Sequence, residues 1–175
     1  GRIAFAKLLN SGQTCVAPDY VMLPKGREAD FVAAYRAAVG RLYGDDPNNP
    51  DYTAIVCASH RARQQALVDD AVARGARLEG AVADPARWSN SPKFPPCLVL
   101  DTTPDMRVRQ EEIFGPILPI VPVSDADEAI ATVVADERPL ALYWFGSDAA
   151  ARDRVMIETV SGGVTVNDCL VHLAQ

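Results

Sequence analysis

The chain has 175 residues, and its 17 basic against 23 acidic side chains give a net charge of −6. That length suits one domain with a sizeable core, and 49% apolar against 23% charged residues argues against a disordered chain. With no basic run, nucleic acid and anionic membrane surfaces are excluded as natural partners. No stretch approaches the roughly 20 apolar residues of a membrane helix.

Charge arrives too early in Gly1–Lys7 for a secretory leader. There is no initiator methionine, so the chain is expected to begin, and to end, inside something longer. Cysteines stand at 15, 57, 97 and 169 without a CxxC pair, and two histidines give no zinc-ligand spacing. They read as reduced thiols of a cytoplasmic protein.

In chain order, Ile3–Leu9 carries apolar residues at every position except Lys7, as the last turns of a buried helix would. Ser11-Gly12 should end it. Tyr20–Leu23 reads as a strand stopped by Pro24. Glu28–Leu42 places Phe31, Val32, Tyr35, Ala38, Val39 and Leu42 at helical spacing. Residues 44–50 form a loop by composition.

A helix is expected from Ser59, as its cap, to Arg74, with Leu67, Val68, Ala71 and Val72 buried. A short element lies near Arg77-Leu78. Residues 84–96, rich in proline and polar groups, read as a surface loop, and Cys97–Leu100 as a strand. Ile117–Val123 reads as an irregular or edge strand, because Pro119 and Pro122 lack ladder donors.

Ser124 should cap a helix to Ala135, and Ser147 another to about Thr159. Leu140–Phe145 is continuous and apolar, as a central parallel strand would be. Val164–Val166 is a last strand. Strands alternating with helices imply an α/β domain with a largely parallel sheet.

Two clusters could carry chemistry. Cys15 follows Asn10-Ser11-Gly12-Gln13-Thr14, a polar turn whose glycine allows close backbone approach to a ligand. A thiolate there would be a nucleophile, with backbone N–H groups for an oxyanion; the alternative is a small core residue. In Glu111–Pro116, the Glu112 carboxylate could accept paired hydrogen bonds from a diol such as a ribose, or simply be solvated. Phe114 could present its ring at a cleft or sit in the core. His60 and His172 invite a Cys–His dyad, although each is explained by its own segment. Cys57, Cys97 and Cys169 read as packing residues. No glycine-rich dinucleotide fingerprint occurs.

The run Asn10–Tyr20 resembles the catalytic-cysteine motif of the NAD(P)-dependent aldehyde dehydrogenases, closest to their class 3 and coniferyl-aldehyde-dehydrogenase-like branch. Gln110–Pro119, Pro139–Tyr143 and Ser161–Asp168 are similar to further signatures of that family, in the same order. The resemblance implies a three-layer αβα catalytic domain over residues 1–175, with the dinucleotide-binding domain and a C-terminal tail lying outside it. It implies Cys15 as nucleophile, and Glu112 and Phe114 as contacts to an NAD or NADP cofactor. It also implies a small aldehyde substrate, a homo-oligomeric parent and no membrane segment. The family's general base and oxyanion side chain lie outside the chain, so the segment alone is expected not to turn over. A cysteine-dependent hydrolase or acyltransferase, or a non-catalytic binding domain, is the alternative.

Overall fold

Four strands make the main sheet of this computed structural model, which describes residues 1–174. They are β1 (Val21–Pro24), β2 (Arg77–Gly80), β3 (Cys97–Leu100) and β4 (Ile117–Val123), in the spatial order β1-β4-β3-β2. β4 runs parallel to β1 and to β3, and β2 is antiparallel to β3, so the sheet is mixed but mostly parallel.

Period-two alternation divides the apolar residues of these strands between two faces. Leu98 and Leu100 of β3, with Leu118 and Ile120 of β4, join one cluster. Into it pack α1 (Arg2–Leu8) through Ala4 and Leu8, and α2 (Glu28–Leu42) through Val32, Tyr35, Ala38 and Val39. Cys97, Val99 and Ile117 point the other way and meet Leu67, Val68 and Ala71 of α3 (Ala58–Ala73). Helices thus cover both faces, the expected three-layer arrangement. Each fully buried Leu or Ile contributes about 1.5–3 kcal/mol, so the two clusters supply the bulk of the stability.

The proline-bearing strand is central rather than at an edge. Residues 117–119 of β4 pair with β3 and residues 120–123 pair with β1, so each position has one bonded neighbour. Pro119 lies at the end of the first ladder and Pro122 in the half where β3 no longer pairs, which is how a central strand tolerates both. Residues 84–96 are also more than a surface loop. They contain a turn of 3₁₀ helix, Pro85–Trp88, capped by Asp84, and they bury Trp88 (2% exposed) and Phe94 (3%) in the core. Proline and polar residues set the path of the segment, and its two aromatics anchor it.

After a four-residue helical turn, α4 (Arg107–Gln110), and β4, the chain forms α5 (Ala126–Ala135), β5 (Leu142–Trp144), α6 (Ala149–Glu158) and β6 (Val164–Val166). β5 and β6 pair in parallel as a separate two-stranded sheet. The apolar run at 140–145 is therefore not a central strand: β5 is half-buried and Leu140 is 56% exposed. The helix starts also move by a residue or two. Cys57, Asp125 and Asp148 occupy the N-cap positions expected for Ser59, Ser124 and Ser147. Each aspartate accepts a backbone N–H of the first turn, which its charge does more strongly than a hydroxyl. No helix among the described residues is long and apolar enough to cross a membrane.

Candidate active site

α1 ends at Leu8, and the chain enters a 3₁₀ turn, Leu9–Gly12, in which Asn10, Ser11 and Gly12 all have positive φ (52°, 55° and 75°). Two non-glycine residues in this region are costly unless their surroundings hold them. Here they are held. Asn10 Nδ2 donates to the Gln13 carbonyl at 3.2 Å, and Gln13 Nε2 returns a bond to the Asn10 carbonyl at 2.9 Å. Gln13 also accepts from Val56 N (2.8 Å) and donates to the Ala54 carbonyl (3.1 Å), while Ser11 Oγ donates to the Thr53 carbonyl. The turn is thereby fastened to residues 53–56.

Thr14 to Ala17 then close a second turn, Ala17 N donating to the Thr14 carbonyl at 3.1 Å, with Cys15 exposed at its tip. Val16, buried, accepts at its carbonyl from Tyr143 Oη at 2.7 Å. Cys15 is therefore a surface thiol on a rigid turn and not a core residue.

The second cluster lies directly against the first. A Cβ on Gly12 would stand 2.3 Å from the Gly115 carbonyl oxygen, so the two loops touch backbone to backbone and only glycine fits between them. Of the two neighbouring carboxylates, Glu111 is bound in ion pairs with Arg107 (2.6 Å) and Arg63 (3.2 Å). Glu112 is exposed, and its carboxylate has no hydrogen-bond or ion-pair partner among the described residues. Ile113 is buried, its N–H donating to Asp19 Oδ1 at 3.0 Å, and Phe114 is half-buried with φ at 50°. Cys15 thus sits on one of two abutting loops, and Glu112 and Phe114 on the other.

His60 lies against the second loop and His172 against β6, and neither is hydrogen-bonded to Cys15. His60 Nε2 lies 2.8 Å from the Phe114 carbonyl, which can only accept, so that nitrogen carries its proton and is engaged. His172 Nδ1 pairs with Thr165 Oγ1 at 3.0 Å. Cys15 Sγ makes no hydrogen bond among the described residues.

Two charged residues that were not singled out in the sequence lie beneath the junction. Lys7 is completely buried and its Nζ has no hydrogen-bond partner among the described residues. Burial lowers its pKa to about 8, against the opposing fields of Asp19, Cys97 and Glu112. Asp19 is pushed the other way, upward, chiefly by burial and against the pull of Lys7. The signal was there to read: Lys7 is the one charged residue inside an apolar helical run.

The remaining thiols divide in a way that spacing did not anticipate. Cys57 is exposed at the N-cap of α3, not packed, and a hydrogen bond with Ser59 Oγ at 3.1 Å, followed by the His60 backbone N–H, holds its pKa below the ordinary thiol value. Burial pushes Cys97 and Cys169 each up to about 12. In site-resolved alkylation with iodoacetamide, Cys57 is expected to react at lower pH than a free cysteine, whose pKa is about 8.5. Cys97 and Cys169 should react only on unfolding. Equal labelling of all three in the folded chain would contradict this ordering.

The model of the aldehyde dehydrogenase family matches residues 1–175. The chain belongs to the aldehyde dehydrogenase family. A probable coniferyl aldehyde dehydrogenase of Caulobacter vibrioides is 50% identical over 99% of the chain and 36% of its own length. Among solved aldehyde dehydrogenase structures, substrate-bound AldH of Staphylococcus aureus superposes with a TM-score of 0.89 at 38% identity, covering 99% of this chain and 37% of that one. An NADP-dependent glyceraldehyde-3-phosphate dehydrogenase of Bacillus halodurans, complexed with NADP, gives 0.81 at 30% identity, over 96% and 34% of the two chains. The chain thus spans about a third of the length of each of these three proteins.

Proposed function

We propose that residues 1–175 are the cysteine-bearing catalytic domain of an enzyme that oxidises an aldehyde to a carboxylic acid with NAD or NADP. The observation that carries this reading is the abutment of an exposed thiol turn and a free carboxylate loop through Gly12 and Gly115.

In this reading the Cys15 thiolate adds to the aldehyde carbonyl, giving a thiohemiacetal whose oxyanion the Cys15 backbone N–H helps hold. The nicotinamide supplies the acceptor for the departing hydride. The resulting thioester is released by water as the acid, restoring the thiol. The Glu112 carboxylate, unpaired and exposed, suits the two hydroxyls of a ribose, and the half-exposed Phe114 ring beside it suits a flat ring system. The NADP complex of the Bacillus relative supports a nicotinamide cofactor. We assign the activated water and the remaining cofactor contacts to a domain outside this segment, so residues 1–175 by themselves should neither turn over nor bind cofactor tightly. We further place the intact enzyme in the cytoplasm as a homo-oligomer.

The test is NAD(P)H production by the full-length dehydrogenase carrying this segment. Cys15→Ser should lower the rate by at least about 1,000-fold, and Glu112→Gln should raise the KM for cofactor more than that for aldehyde. A Cys15→Ser enzyme with full activity would refute the assignment. Against the hydrolase alternative, neither histidine is hydrogen-bonded to Cys15: His60 Nε2 is bonded to the Phe114 carbonyl and His172 Nδ1 to Thr165 Oγ1.

A further inference from the structure

The loop that carries Glu112 and Phe114 has no helix or strand of its own, yet three consecutive backbone carbonyls and one N–H in it are bound by side chains. Arg63 Nη2 donates to the Glu112 carbonyl at 2.6 Å, and Arg63 Nη1 to the Ile113 carbonyl at 2.9 Å. Gln64 Nε2 reaches the same Ile113 carbonyl at 2.8 Å, and His60 Nε2 the Phe114 carbonyl at 2.8 Å. The His60 and Phe114 rings also meet edge to face, with centroids 6.1 Å apart. From the opposite side Asp19 takes the Ile113 N–H.

Three consecutive carbonyls directed to one helix are unlike an extended chain, in which they alternate. The positive φ of Phe114 makes this possible, and α3 supplies the donors at positions 60, 63 and 64, one face of the helix. Arg63 is central because its planar fork spans two carbonyls and the Glu111 carboxylate together, which a lysine cannot do. Glu111, clamped between Arg63 and Arg107, is thereby withdrawn, and Glu112 is left as the unengaged carboxylate.

We propose that Arg63, assisted by His60 and Gln64, is a positioning residue for the cofactor: by fixing the carbonyls of residues 112–114 it holds the Glu112 carboxylate and the Phe114 ring where the nicotinamide-bearing ribose binds. This rests on the reading of Glu112 and Phe114 given above. Arg63 itself does not touch the ligand. Loosening the loop costs affinity for the cofactor and leaves the aldehyde's approach to Cys15 unaltered.

The experiment is steady-state kinetics of the full-length dehydrogenase carrying this segment, with Arg63→Met, Arg63→Lys and His60→Gln. Arg63→Met is expected to raise the KM for nicotinamide cofactor by about tenfold, with a smaller fall in kcat and no change in the KM for aldehyde. Arg63→Lys should recover part of the loss, and His60→Gln, which retains a donor, most of it. A folded Arg63→Met enzyme with the wild-type cofactor KM overturns the proposal, and so does an equal rise in both KM values. Should Arg63→Met fail to fold, His60→Ala takes its place with the same split expected. If the wild-type enzyme oxidises no aldehyde, the underlying reading of the site has failed instead. Amide hydrogen exchange at Ile113, whose N–H is bonded to Asp19, then judges the clamp alone, faster exchange in the variant supporting it and unchanged exchange rejecting it.

Discussion

Gly12→Ala is expected to destabilise the chain by about 3 kcal/mol or more, enough to lower its melting temperature by roughly 10 °C. The added methyl would stand 2.3 Å from the Gly115 oxygen, 2.6 Å from the Gly115 carbonyl carbon and 2.8 Å from the Lys7 oxygen. All three are backbone atoms, so no side-chain rotation relieves the overlap, and a φ of 75° is strained for alanine in any case. Either the thiol turn or the Glu112 loop must move. Gly26 provides the control, since its φ is 84° and nothing lies within 4 Å of its missing Cβ. Gly26→Ala carries only the backbone strain, about 1 kcal/mol. Thermal unfolding of the two variants side by side separates packing from strain; equal losses would mean that the Gly12–Gly115 contact contributes nothing.

The second large effect concerns Lys7. Its folded pKa of about 8 lies below the ordinary 10.5 of the unfolded chain. Between these values the unfolded chain binds the additional proton, so stability rises with pH across the window, by about 3 kcal/mol for a shift of this size. Below pH 8 the folded state carries the buried ammonium with its desolvation cost. Cys97 and Cys169 act in the opposite sense: their folded pKa values of about 12 lie above those of free thiols, so they lose stability as pH rises past 9. Comparison with Lys7→Met cancels Cys169 and leaves from Cys97 only the part that the Lys7 charge sets. Urea unfolding from pH 7 to 10.5 should show wild type gaining about 3 kcal/mol relative to Lys7→Met. Parallel curves for the two proteins would rule out a buried, depressed lysine.

Much of this molecule was legible before its structure. α2, β3, β4 and β6 have the boundaries that periodicity and breakers predicted, because burial on one or both faces writes itself into spacing. The thiol turn and the Glu112 loop could be singled out because their glycines and polar residues interrupt that spacing. The sequence did not disclose which residues brace them. Arg63 and Gln64 lie about 50 positions before the carbonyls they hold, and helical periodicity says only that they face away from some solvent. Lys7 stands inside an apolar run, and a charge in that place points to a buried ionisable group. Pro119 and Pro122 misled for a geometric reason, since a central strand that changes partners midway has positions where a donor is not required. Leu140–Phe145 misled in the other direction: an apolar run reports that a surface is to be covered, and does not say that this chain covers it.

The separation of the β5–β6 pair from the main sheet divides the molecule into units of unequal cooperativity. Neither apolar cluster includes a residue beyond Val123, and the buried apolar side chains after it are Ile130, Val155 and Cys169. The C-terminal third can therefore open sub-globally while the four-stranded sheet persists. The Cys15 turn belongs to the more durable unit, being tied to residues 53–56 and 115. Its hydrogen bond to the C-terminal unit is the one from Tyr143 to the Val16 carbonyl. Through that phenol a melting event in the last third of the chain reaches the residue next to the thiol, while the Glu112 loop, bonded to α3 and Asp19 and abutting Gly12, is left out of it.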